Sequence, residues 1–71
     1  MTIDEKRELA ILYLQERLKV FGCVIVVEDY GNRLEIKRGK DLITSLGSSD
    51  WKKIDKLEGI VHSIIRHLKS Q

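Results

Sequence analysis

Proline is missing from this chain altogether, and cysteine occurs once, at position 23. Without proline there is no N-terminal secondary amine to form imines with a carbonyl substrate, a route open to some very small enzymes. A lone cysteine closes no disulfide within the chain. The first nine residues intersperse charges where a secretion signal would run apolar, so a reducing, cytoplasmic location is expected. Apolar runs stop at six residues, far short of the roughly 20 that cross a bilayer. No membrane association is expected.

Other chemistries fail on spacing. His62 and His67 are separated by five positions, about 140° around a helix, and cannot share a metal ion. Cys23 has no second cysteine at ligand spacing and opens an apolar strand, where a thiol is a small core filler. Ser, His and Asp are scattered as surface-type residues, so no nucleophile, base and orienting group fall together. Arg38-Gly39-Lys40-Asp41 contains a Gly-Lys pair but no earlier glycine at the required spacing and no Ser or Thr after the lysine, which makes it a basic turn and not a phosphate loop. The sequence therefore predicts no enzyme, no cofactor and no small-molecule substrate.

What the chain does have is aliphatic mass. Ile, Leu and Val fill 23 of its 71 positions, enough to collapse around one core, and a chain this short forms one domain, residues 1–71. Its stability is expected at about 4–10 kcal/mol. The net charge of +2 hides an uneven distribution: residues 1–30 carry four basic and six acidic groups, residues 31–71 nine basic and five acidic.

Local patterns give the elements. Thr2-Ile3-Asp4-Glu5 fits a capping box, and a helix over 3–21 follows, stopped by Gly22. Its apolar residues span roughly 200° of the helical wheel, and Leu12 falls outside them, amid polar residues. Cys23 to Val27 is a β-branched run that reads as a strand over 23–28, buried on both faces or central in a sheet. Asp29-Tyr30-Gly31-Asn32 is turn chemistry, and residues 33–38 alternate like a half-exposed strand. A two-residue loop would set Glu28 against Glu35, and a three-residue loop Asp29 against Arg33. A short third strand is read at 42–46. Gly47-Ser48-Ser49-Asp50 then offers caps for a helix over 51–69, with a buried stripe from Ile54 to Leu68. The fold class is α+β: an α-β-β-(β)-α domain with an antiparallel sheet and both helices on one face.

Two faces are left for partners. On the first helix, Leu12, Tyr13 and Glu16 form a surface whose apolar part exceeds what one small sheet covers, and a second copy of the chain is the simplest cover. On the last helix, Gly59 and Ser63 make a shallow notch among cations, and a mid-helix glycine costs about 1 kcal/mol relative to alanine. The preferred reading is a non-enzymatic module that binds another protein, as adaptor or inhibitor, and forms a homodimer. The alternative is nucleic-acid binding through Arg33, Lys37, Arg38, Lys52, Lys56 and Arg66. Among the aromatic residues only Tyr30 sits in a loop where it could stack on a base.

The element order and the Lys52-Lys53-x-x-Lys56 cluster opening the last helix resemble the double-stranded-RNA-binding domain family. The resemblance implies a lysine cluster that grips phosphates across the RNA major groove. Asp55 stands where that family keeps a small apolar residue, and the hairpin turn lacks its proline-and-histidine pattern.

Overall fold

The computed structural model of the protein describes residues 2–70. Helix α1 (Ile3–Leu18) begins with the expected capping box: the Thr2 hydroxyl accepts from the Glu5 amide at 3.2 Å, and the Glu5 carboxylate accepts from the Thr2 amide at 3.5 Å. One 3₁₀ turn, Lys19–Phe21, tightens its end before Gly22 turns left-handed at φ 79°, a conformation that costs glycine nothing.

Three strands follow, β1 (Cys23–Glu28), β2 (Arg33–Arg38) and β3 (Asp41–Leu46), as an antiparallel meander in the order β1-β2-β3. The third strand is therefore present, one residue longer than expected. Gly39 and Lys40 alone join β2 to β3, and Gly39 sits at φ 63°. A glycine at positive φ in the first position of a two-residue loop suits a type II′ hairpin.

The β1–β2 connection corrects the expected register. Four residues, not two or three, form the loop, and Glu28 lies opposite Arg33, an attractive pair where like charges had threatened. Asp29 and Tyr30 both adopt positive φ, 54° and 53°, ahead of Gly31 at 89°. Two non-glycine residues in this region are uncommon and strained. The turn is clamped on two sides. Arg7 Nη1 donates to the Gly31 carbonyl at 3.3 Å, and Trp51 Nε1 donates to the Asn32 carbonyl at 2.9 Å. A Cβ on Gly31 would stand 2.8 Å from the Arg7 guanidinium and displace the movable end of that side chain, and the φ of 89° is what calls for glycine there.

The C-terminal part departs from the expected single helix over 51–69. A four-residue helix α2 (Ser48–Trp51) precedes α3 (Ile54–Lys69), and Lys53 between them is extended, at φ −115° and ψ 120°. Trp51 accounts for the break. Its indole is fully buried and held by the Asn32 carbonyl, which fixes α2 in a direction that α3 cannot continue.

One core joins α1 (Ala10, Leu14, Leu18), one sheet face (Leu34, Ile36, Leu46), Trp51 and α3 (Leu57, Val61, Ile64, Leu68). Both long helices therefore lie on one face of the sheet. The other face is bare: Glu35 stands between Arg33 and Lys37 at 3.5 and 3.6 Å, with exposed Val24 and Leu42 beside them. This corrects the reading of β1. The doubly flanked strand is β2, because two tight hairpins place the middle strand of the sequence in the middle of the sheet. β1 is an edge strand, with Val24 55% and Val27 46% exposed. Ile54, expected in the buried stripe of the last helix, sits at the first turn of α3 and is 49% exposed.

The strain at Tyr30 is testable. Placing an L-residue in the left-handed region costs about 1–2 kcal/mol. Tyr30 is fully exposed, so Tyr30→Gly removes strain without opening a cavity. Urea unfolding is expected to show the variant more stable than the parent by about 1 kcal/mol; a loss of stability would mean the tyrosine ring makes contacts that outweigh the backbone cost.

Candidate protein interface

Helix α1 buries only a narrow stripe, Ala10, Leu14 and Leu18. Its other apolar residues are spread around the helix. Leu12 is 54% exposed and Leu9 46%, and a spacing of three places them side by side on the outer surface. Glu5, Glu8 and Glu16, all exposed, share that surface. Lys19, 3.4 Å from Glu16, offsets them in part, and Lys6 and Lys52 border the hollow beside Leu9. The result is an apolar ridge with carboxylates along its Leu12 side and lysines at its Leu9 end.

Ile54, at the start of α3, extends the ridge from the far side: it shares a hollow with Leu9 and Trp51. Beyond it an open groove of about 600 Å³ runs between α1 and α3, lined by Tyr13, Arg17, Val61, His62 and Ile65 among others. Tyr13 is half-buried along this groove, and the Arg17 guanidinium lies 3.6 Å over its ring while donating to the Tyr13 carbonyl at 3.3 Å. The fold thus brings Leu12, Tyr13 and Glu16 onto adjoining surface, with Tyr13 turned toward the groove and the other two outward.

Gly59 and Ser63 lie elsewhere. Both are exposed and line a shallow hollow between α3 and β3, with Ile60, Thr44 and Ser45. A Cβ on Gly59 would touch nothing within 4 Å, and no contact in the structure explains the glycine.

The six cations of the nucleic-acid reading are divided by the fold. Arg33, Lys52 and Lys56 lie toward the end that holds the β1–β2 turn and α2. Lys37, Arg38 and Arg66 lie toward the β2–β3 turn, where His67 next to Arg66 lines a hollow with Arg38 and Gly39. Three are engaged by carboxylates: Arg33 and Lys37 by Glu35, and Lys56 by Asp50 at 3.5 Å. Lys52, expected on the last helix, instead ends α2, with its ammonium 6.0 Å from the Trp51 ring. The helix-start cluster of Lys52, Lys53 and Lys56 is therefore not presented from one helix.

What sequence reasoning missed is backbone-defined. Tyr30, read as a loop aromatic, protrudes from a clamped left-handed turn, and an Asp-Tyr pair ahead of Gly signals only a generic turn. The open edge of β1 carried no signal, because strand propensity does not report neighbours.

Cys23 is buried, and burial pushes its thiol pKa up, with Arg38 opposing. Among the described residues no group of three or more His, Cys, Asp and Glu has the placement to hold a metal ion. Among the described residues no helix is long and apolar enough to cross a membrane. A raised thiol pKa means that the folded chain keeps its proton where the unfolded chain has lost it. This residue therefore lowers stability as pH rises through the ordinary thiol range and leaves it unchanged below. Alkylation of the native protein near neutral pH is expected to be slow and to become fast in denaturant; rapid native labelling, followed by mass spectrometry, would show an activated thiolate instead.

Comparison with known proteins adds no relative: no protein-family model, no curated protein and no solved structure matches the chain.

Proposed function

We propose that this chain is a small non-enzymatic protein-interaction module of adaptor or inhibitor type, which receives its partner on the outer face of α1. The observation that carries the reading is the ridge of Leu9 and Leu12 in its surround of Glu5, Glu8 and Glu16. Isolated exposed leucines are ordinary on soluble proteins. Two adjacent ones, continued by Ile54 and bordered by a groove with an ordered Tyr–Arg stack, make an apolar centre with a polar rim. Covering a leucine contributes about 2 kcal/mol, and Glu5, Glu8 and Glu16 beside Leu12 supply the sign of the partner there. A basic, apolar-faced segment fits that side.

A photo-cross-linking residue in place of Leu12, introduced in the producing cell, tests it. Irradiation is expected to give one discrete adduct, larger than a protomer and lost when Glu8 and Glu16 are changed to Lys. The same cross-linker at Lys40 gives none. Leu12→Glu should leave unfolding within about 0.5 kcal/mol of the parent, since the site is half exposed. No adduct at position 12, or equal adducts at 12 and 40, would overturn the proposal.

A further inference from the structure

The two edges of the sheet are built differently. β3 is blunted: its pairing with β2 shifts register between Ile36 and Lys37, so that Ile43 bulges, and Asp41, Thr44 and Ser45 break its apolar run. Bulges and charges are the devices that keep an edge strand from pairing further. β1 has no bulge, and its one charge stands at its last residue. All six of its residues pair regularly with β2, and it runs Cys-Val-Ile-Val-Val before its first charge at Glu28.

The edge is also unfinished on both faces. Val24 and Val26 point to the bare side of the sheet, Ile25 and Val27 to the helix side, and Val24 and Val27 are about half exposed. A helix laid across one face would cover one of these valines. A further strand covers both and satisfies the backbone groups of β1 that point away from β2.

We infer that two copies of this chain join edge to edge through β1, antiparallel about a two-fold axis, to make one six-stranded sheet. Charge selects this occupant and direction. β1 ends at Glu28 and Asp29, with Arg33 opposite Glu28 engaged by Glu35, whereas its start is flanked by Lys19, beside Glu16 in the preceding turn, and by Arg38 opposite Cys23. Antiparallel self-pairing sets each acidic end beside the other copy's basic end, twice over; parallel pairing would set like against like. The pleat restricts the register. Directly opposed residues must share a face, so an axis through Ile25 sets Val24 against Val26 and Cys23 against Val27. That ladder is apolar throughout, and Glu28 falls beyond it. Both helical layers then lie on the same side of the joined sheet. This surface is separate from the outer face of α1, and the inference does not depend on the partner proposed for that face.

The purified full chain at about 50 µM, examined by light scattering after chromatography, is expected to have twice the protomer mass of 8.2 kDa. Val24→Lys, at an exposed position on the edge, is expected to halve that mass while keeping the parent's circular dichroism. Leu12→Glu is expected to remain dimeric. A spin label at Ser45, in a Cys23→Ala background, reads the arrangement directly. Ser45 lies level with Val26 through Glu35, so five strand spacings and a two-residue offset separate the two labelled Cα atoms by about 25 Å. A monomeric parent, a dimeric Val24→Lys variant, a Leu12→Glu variant that dissociates, or label separations well outside about 20–35 Å would each overturn the inference.

Discussion

Two tight hairpins decide this structure. The two-residue Gly39-Lys40 loop and the clamped four-residue turn at Asp29–Gly31 and Asn32 force β1, β2 and β3 into a meander. β2 therefore has neighbours on both sides and β1 has one. With α1 and α3 both on the face that carries Leu34 and Ile36, the molecule has a single buried layer. It leaves three surfaces without cover: the outer side of α1, the bare sheet face and the β1 edge. Each reading of what this protein binds follows from which of these the chain leaves apolar.

The clamped turn ties the two halves of the chain together. Arg7 reaches it from α1 and Trp51 from α2, each donating to a turn carbonyl. Burial of the indole then sets where α3 begins, and so where Ile54 comes to rest beside Leu9. The ridge on α1 thus includes a contribution from the C-terminal helix that originates in the path of a hairpin loop. Strain at Asp29 and Tyr30 is offset by these hydrogen bonds and by the core that the turn permits.

Much of the fold was legible in the residues. β1 and β2 fall where the β-branched run and the alternating stretch place them, and the capping box and Gly22 bound the first helix as read. Three features were not legible, each for its own reason. The position of β1 in the sheet was misread because a run of β-branched residues reports that a strand forms, not how many neighbours it acquires. The hairpin register was misread because nothing marks Asp29 and Tyr30 as left-handed, a conformation usually left to glycine or asparagine. The break at Lys52 and Lys53 was hidden because both residues are good helix formers, and only the pull of Trp51 into the core separates the two helices. For the binding surfaces, the helical wheel found Leu12, since its exposure follows from periodicity alone. It placed Lys52 among the cations of the last helix only by assuming a continuous helix.

The account stands most directly on the open edge of β1 and its pairing with a second copy. Residue-resolved amide hydrogen exchange at two protein concentrations reads that edge without any substitution. The β1 amides that point away from β2 are expected to be protected in concentrated solution and to exchange faster on dilution, while those at the blunted β3 edge stay constant. Exchange in β1 that ignores concentration, or a concentration effect confined to α1, would contradict the account.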